Sequence, residues 1–468
     1  MKKSRKKQIQ DISCAVFIAA MIATSCSASK THEDPLPNIV IVLTDDLGYG
    51  DISCYNQAAV PTPHIDKLAL QGVRCTDFYV PTPYCAPSRA TLLTGRFPLR
   101  HGMIRNPTPD AGIDDVGLPD GEITLGEVLQ QAGYRTKCIG KWHLGHREMF
   151  FPVNHGFDEY YGILYSNDMR PVQIVENRDT VEYPVDQHLL TQKYTQEALD
   201  FISENKDCPF FLHLCHAMPH KPLAASEAFY TPETKEDLYA DVIRELDWSV
   251  GMVTGQLAEM DLLDNTILIF MSDNGPYYGG STGGLKGMKA TTWEGGIRVP
   301  FIIRYPGVFV ANTEVNVPCW SPDILPTILS LAGLNPLEDK VLDGEDITDI
   351  LRGDRTSHAP VFSLHNEHIM SVRKGDYKLF IEKPRYKRRA PGSVDPRRPD
   401  GITIIAPLEQ ATPDQYPGVI PEEPVEKIQL FNLRSDRTES NELSDRMPEK
   451  VEELMQEYIR FKTSLMTK

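Results

Sequence analysis

Four short stretches of the chain repeat one design. Asn38-Ile-Val-Ile-Val-Leu-Thr44 is a continuous apolar run rich in β-branched residues, the pattern of a strand buried on both faces, and it stops at Asp45-Asp46. Thr266-Ile-Leu-Ile-Phe-Met-Ser272 stops at Asp273-Asn274-Gly275, and Phe210-Phe-Leu-His-Leu-Cys215 is followed by His216 and His220. A weaker strand, Arg135 to Gly140, runs into Lys141-Trp142-His143. Between these runs lie helical patterns, most clearly Tyr239, Val242, Ile243, Leu246, Val250, Val253 and Leu257 on one face. Alternating strands and helices predict an α/β fold with a mostly parallel sheet flanked by helices. In such sheets ligands bind outside the carboxyl ends of the strands. Four strands deliver polar or charged residues at that end, which predicts a site there and not a solvated edge.

The pattern changes toward the C-terminus. A large domain is expected over residues 38–353, and a smaller α+β subdomain over 354–468. His358-Ala-Pro-Val-Phe-Ser and Ile369 to Phe380, with a turn at Gly375-Asp376, read as short antiparallel strands. Val451, Leu454, Met455 and Tyr458 give a terminal amphipathic helix, expected to pack on the small sheet. An irregular, proline-rich stretch from Pro384 to Pro424 separates the strands.

Charge narrows the partners. With 468 residues and a formal net charge of −17, the surface would repel nucleic acid, so an anionic substrate needs a local basic pocket or a bound cation. The cluster Lys383, Arg385, Lys387, Arg388, Arg389, Arg397 and Arg398 either draws a polyanion toward the site or forms a solvated loop.

The N-terminus reads as a targeting segment. Lys2 to Lys7 is basic, Cys14 to Ala23 is apolar but too short to span a bilayer, and Ala23-Thr-Ser-Cys26 has the small residues of a cleavage site. Residues 1–26 are therefore expected to be a signal peptide with a lipobox and 27–37 a tether, making the protein an exported, periplasmic or membrane-anchored lipoprotein. Ordinary cleavage near Ser25 is the alternative to lipidation at Cys26. Seven of the nine cysteines lie beyond Cys26, with no CxxC pair, which argues against a thiol-rich zinc site; Cys54 with Cys75 is one conceivable disulfide.

Asp45, Asp46, Asp273 and Asn274 offer only oxygen ligands, which suit calcium or magnesium better than zinc. Either strand end alone could simply cap a turn, but two adjacent carboxylates repel each other without a cation. Lys141, His143, His220 and Lys289 supply the opposite charge, and together the two sets make a pocket for a tetrahedral oxyanion. Cys85-Ala-Pro-Ser-Arg89 opens a helix, with Pro87 suited to the first turn. Cys85 thus sits at a helix N-terminus that favours an anion, and Arg89 lies one turn on. A buried structural cysteine is the plain alternative.

Cys85-x-Pro-Ser-Arg89 followed by Leu93-Thr-Gly-Arg96 resembles the signature of the type I sulfatases. Leu43 to Asp51, Gly140 to Gly145, Ser272 to Gly275 and Lys289 to Gly296 match that family in the same order, across nearly the whole mature chain. The closing segment Leu430 to Leu433 with Asp436, Glu439 and Asn441 is also similar. The resemblance implies an alkaline-phosphatase-like core with a smaller C-terminal domain. It implies conversion of Cys85 to formylglycine by a maturation enzyme, and calcium (Ca2+) held by Asp45, Asp46, Asp273, Asn274 and the modified Cys85. Arg89 and Lys141 would steady the formylglycine, His143 would bond its hydroxyl, and His220 and Lys289 would contact the sulfate. Ser166 would line the pocket, while His216 has no assigned role.

The resulting expectation is a sulfuric ester hydrolase. A hydroxyl of the hydrated aldehyde attacks sulfur while Asp273 accepts its proton, and His220 or Lys289 protonates the departing alcohol. The second hydroxyl, deprotonated through His143, then expels sulfate. Export, the lipid anchor and the basic stretch favour a sulfated carbohydrate of a glycan as substrate. Two alternatives are a phosphate-ester hydrolase of the same fold, which would use serine or threonine and two zinc ions, and a non-catalytic surface-binding lipoprotein. Cys85 in its motif and the single oxygen-ligand site weigh against the first, and the full set of core residues against the second.

Overall fold

A computed structural model describes residues 35–107, 115–169, 172–233, 237–277, 279–337, 340–381 and 428–466. The expected leader, Cys26, most of the tether and the basic proline-rich stretch lie outside the described residues. The chain runs through β1 (Asn38–Thr44), α1 (Pro63–Gln71), β2 (Val73–Tyr79), α2 (Cys85–Thr94), α3 (Pro98–His101), α4 (Leu125–Gln131) and β3 (Arg135–Gly140). The edge strands β4 (Glu159–Gly162), β5 (Ile174–Glu176) and β6 (Asp179–Glu182) follow. Next come α5 (Leu190–Glu204), β7 (Phe210–Cys215), α6 (Leu238–Glu259), β8 (Thr266–Ser272), α7 (Glu294–Ile297) and β9 (Arg298–Arg304). After β10 (Thr313–Val315), β11 (Cys319–Trp320), α8 (Ile324–Leu331) and α9 (Thr348–Arg352), four strands and a helix close the chain. These are β12 (Val361–His365), β13 (His368–Lys374), β14 (Tyr377–Phe380), β15 (Gln429–Asn432) and α10 (Pro448–Ser464).

The large sheet has the order β10-β2-β9-β8-β1-β7-β3-β4-β5-β6, with β11 also paired to β2. Its centre, β8-β1-β7-β3, is parallel throughout. These are the four strands that the apolar runs predict, with the same bounds. Burial on both faces explains why their sequences do not alternate. On β1, Ile39, Ile41 and Leu43 enter one apolar cluster while Val40 and Val42 enter the other. On β8, Ile267, Ile269 and Met271 go one way and Leu268 and Phe270 the other. Helix α6 carries the predicted stripe, with Val242, Ile243, Leu246, Val250, Val253 and Leu257 all buried.

Strands β12-β13-β14-β15 form a second, antiparallel sheet. Helix α10 packs on β13 and β14, burying Leu454, as its amphipathic pattern predicts. The first of these strands starts later than expected. Pro360 has no amide to donate to a ladder, and His358 is engaged with the Asp323 carboxylate at 2.9 Å. Cys54 and Cys75 do not pair: both thiols are free.

Candidate active site

The register of the central strands assembles the site. Thr44 pairs with Ser272, so the first residues beyond them, Asp45 and Asp273, are neighbours. Leu43 and Gly140 both pair with Cys215, which brings Lys141 alongside. Gly140 is required by a close approach: its φ is +98°, and a Cβ there would lie 1.8 Å from the Cys215 carbonyl oxygen. The Lys141 amide then donates to that same carbonyl at 2.8 Å. Asp46 and His143 hold positive φ values of 63° and 62°. Non-glycine residues in this region cluster where function over-determines the backbone.

Helix α2 delivers Cys85 at its first residue. All ten residues of the helix are buried, and Gly95 closes it in the left-handed conformation. The Cys85 thiol donates to Asp45 Oδ1 at 3.3 Å. Arg89 donates from Nε to Asp273 Oδ2 at 2.9 Å and from NH1 to the Lys141 carbonyl at 2.7 Å. Lys141 Nζ donates to Asp45 Oδ2 and, at 3.1 Å, to Ser166 Oγ. Lys289 Nζ lies 2.6 Å from Asp46 Oδ1 and donates to Cys85 Sγ at 3.4 Å. Asn274 Nδ2 donates to Asp46 Oδ1 at 2.7 Å.

One ligand atom from each of Asp45, Asp46, Cys85 and Asp273 lies within 4.8 Å of the others, in a fully buried group. Asn274 Oδ1 is buried without a hydrogen-bond partner among the described residues. A buried orphan oxygen is costly unless something accepts its lone pairs, and an all-oxygen carboxylate and amide set suits a hard cation. The residues therefore fit calcium.

Electrostatics agree with a crowded anionic floor under a cationic rim. Burial opposes charge on Asp45, but Lys141 first, then His220, Arg89 and Lys289, hold it well below the usual carboxylate range. Burial, joined by the charge on Asp45, pushes Asp273 up to about 7. Burial and Asp45 likewise push the Cys85 thiol well above its ordinary range, so the unmodified side chain is a poor thiolate nucleophile.

His220 Nδ1 lies 2.9 Å from Asn167 Oδ1 and 2.6 Å from the Lys221 carbonyl. Two acceptors assign the proton to Nδ1 in the neutral ring, which leaves Nε2, 3.8 Å from Asp46 Oδ2, as the nitrogen that faces the site. Both ring nitrogens of His143 are buried without hydrogen-bond partners among the described residues. Ser166 joins the pocket between Lys141 and His220. His216 is packed away, bonded to Ser249 Oγ at 3.1 Å.

The sequence reading missed two neighbours of Ser166. Asn167 orients His220, donating from Nδ2 to its carbonyl at 3.2 Å. Asp168 is held charged against its burial, first by His220 and then by Lys141 and Lys289. An Asn-Asp pair directly after Ser166 was the available signal.

The sulfatase family model matches residues 37–334. Among curated proteins, the N-acetylgalactosamine-6-sulfatase of Canis lupus familiaris is 39% identical over 373 residues, covering 73% of this chain and 71% of that protein. The steryl-sulfatase of Homo sapiens is 33% identical over 437 residues, covering 74% and 75%. The solved structure of Ps i-CgsB in complex with k-i-k-neocarrahexaose superposes with a TM-score of 0.75 at 27% identity, covering 91% of this chain and 92% of that one. With its alkaline-phosphatase-like sheet, and with Asp45, Cys85, Arg89, Lys141 and Asp273 gathered beyond the ends of the central strands, this chain belongs to the type I sulfatase family and is a sulfatase.

Proposed function

We propose that the enzyme removes sulfate esters from a sugar of a sulfated glycan, using formylglycine made from Cys85 and a calcium ion held by Asp45, Asp46, Asp273, Asn274 and the modified Cys85. The observation that carries this reading is the convergence of Cys85 with three carboxylates within 4.8 Å, under a rim of Lys141, Lys289 and His220. Cys85 Sγ marks the place that an oxygen of the modified residue would take. The hydrated aldehyde supplies two hydroxyls on one carbon, one to displace the alcohol from sulfur and one to release sulfate. Calcium held there would supply positive charge to the sulfuryl group.

The chain's own residues do the rest. Arg89 and Lys141 fix the carboxylates beneath the nucleophile, which keeps the nucleophile in line with sulfur. Lys289, reaching Cys85 Sγ, offsets charge on the sulfuryl group. Asp273 accepts a proton from the attacking hydroxyl in this reading. His220, once protonated on both ring nitrogens, donates the Nε2 proton to the leaving alcohol, work worth about 10²–10⁴-fold. His143 is the base for the release step.

The named relatives support a sugar substrate: one carries N-acetylgalactosamine-6-sulfatase as its name and another was solved with a neocarrahexaose. N-acetylgalactosamine 6-sulfate is therefore the first compound to test. In the same reading, residues 1–26 direct export, a maturation enzyme modifies Cys85, and Cys26 takes a lipid that anchors the protein to the cell envelope. No helix among the described residues is long and apolar enough to cross a membrane. The division into a catalytic part, 38–353, and a C-terminal part, 354–468, also belongs to this reading.

Mass spectrometry of the peptide containing Cys85 from active enzyme tests the proposal. The peptide should be about 18 Da lighter than the cysteine form, the difference between CH2SH and an aldehyde. Activity from protein whose Cys85 is entirely unmodified would overturn it.

A further inference from the structure

Lys289 lies in a segment, Lys286 to Trp293, that has no regular secondary structure yet must hold an ammonium against Asp46 and Cys85. Local bonds steady its middle: the Lys289 amide donates to the Pro276 carbonyl at 2.9 Å and the Ala290 amide to the Pro83 carbonyl at 3.1 Å. Ala290 has φ +69°, a conformation that a non-glycine residue keeps only when its surroundings impose it.

The far end of the segment is gripped by the antiparallel sheet and the turn beyond it. Glu439 Oε2 accepts from the Glu294 amide at 2.8 Å, across 145 positions of sequence. Lys378 Nζ, on β14, lies 2.8 Å from Glu439 Oε1 and donates to the Thr292 carbonyl and to Glu294 Oε1, both at 3.0 Å. The Glu439 carbonyl accepts from Lys286 Nζ at 3.3 Å, and that ammonium sits 3.8 Å from the centre of the Trp293 ring. Trp293 itself packs against Phe380 and Phe431, with ring centres 4.6 and 6.0 Å away. Glu439, Lys378 and Glu294 are all buried. One residue thus reaches both ends of the Lys286–Glu294 segment, through its carboxylate at Glu294 and its backbone carbonyl at Lys286.

We propose that Glu439 is a positioning residue for the sulfatase reaction: together with Lys378 it fixes the backbone that aims Lys289 at the sulfuryl group. Among the described residues no hydrogen bond or ion pair joins Glu439 to Cys85 or to Asp45, Asp46, Asp273 and Asn274, so it acts through Lys289. A lysine side chain has many rotamers, and a preorganised cation stabilises a transition state only when its backbone is held. This rests on the reading of Lys289 as a sulfate contact.

A double-mutant cycle on the matured, calcium-loaded full chain tests it, with N-acetylgalactosamine 6-sulfate and 4-nitrophenyl sulfate as substrates. Glu439→Gln keeps the side chain's shape and removes its charge. It should lower kcat by about 10-fold or more, while KM changes much less. In a Lys289→Ala background the same substitution should cost almost nothing further, because the residue it positions is gone. A purely structural role would instead give losses that multiply, and that outcome overturns the proposal, as would full activity in Glu439→Gln. If Glu439→Gln does not fold, Lys286→Met, at the half-buried end of the clasp, serves the same cycle and must show the same non-additivity. Unchanged rates in Lys289→Ala alone would refute the underlying reading of the site; a costly Lys289→Ala with multiplying losses would refute only the role of Glu439.

Discussion

Arg89 Nε donates to Asp273 Oδ2 at 2.9 Å, tying the helix that begins at Cys85 to the end of a strand 184 positions later. Arg89 NH2 lies 2.8 Å from the same oxygen, and both side chains are buried. Removing one partner of a buried pair strands the other. Arg89→Ala should therefore lower unfolding free energy by about 3–5 kcal/mol in urea titrations, and lower turnover of sugar and aryl sulfates alike. Arg89→Lys keeps the charge but not the planar fork, and should recover little of either.

Chelation should remove calcium and activity together, with calcium restoring both and zinc restoring neither well. Asp45→Ala and Asp273→Asn should each lower bound metal, measured by elemental analysis, and cut rate on the order of 10²-fold or more. Full turnover by metal-free protein, or two zinc ions per chain, contradicts the assignment of these carboxylates.

His220 separates binding from proton donation. A sugar hydroxyl leaves badly without a proton, whereas a nitrophenolate leaves unaided. His220→Ala should slow hydrolysis of a sulfated sugar by roughly 10²-fold or more and harm 4-nitrophenyl sulfate distinctly less. Asn167→Ala, which frees His220 Nδ1 from one acceptor, should reproduce that substrate bias in weaker form. Equal losses on both substrates would make Lys289 the candidate acid.

His358 should report its ion pair through stability. Burial opposes its charge, but Asp323 first, and then Glu345, lift it above its ordinary value of 6.5. A group raised in the folded state contributes fully below its unfolded value, and that contribution fades as pH rises through the folded value. The Tm advantage of the natural protein over His358→Gln should be largest near about pH 5.5 and shrink by about pH 9. An advantage that grows with pH would contradict the pair.

The central strands and their polar ends were legible because burial on both faces leaves an uninterrupted apolar run that the first charged residue must end. Asp45, Asp46, Asp273 and Asn274 are read this way, as are Lys141 and His143. Cys85 and Lys289 were candidates from charge and helix position, but their roles required the motif, since neither follows a strand: one starts a helix and the other sits on an irregular segment. The start of the small sheet was misjudged because β-branched composition at Val361 does not reveal that His358 is bound to Asp323. Asn167 escaped because its role lies in a side-chain bond to His220 on another loop, and sequence spacing carries no trace of such contacts. Glu439 was visible only as part of a closing segment; its reach to Glu294 depends on tertiary packing.

Helix α2 has no face toward solvent, and Cys85 is wholly enclosed. A second protein cannot reach that thiol once the sheet, the helix and Lys289 have closed around it. On the proposed reading of Cys85, its oxidation would then be a matter of biosynthetic timing, completed before the segment folds. Folding and the proposed modification would then compete for the same segment. Folded cysteine-form protein mixed with the maturation enzyme should stay inactive, while a peptide spanning Tyr84 to Arg89 or the denatured chain should be converted.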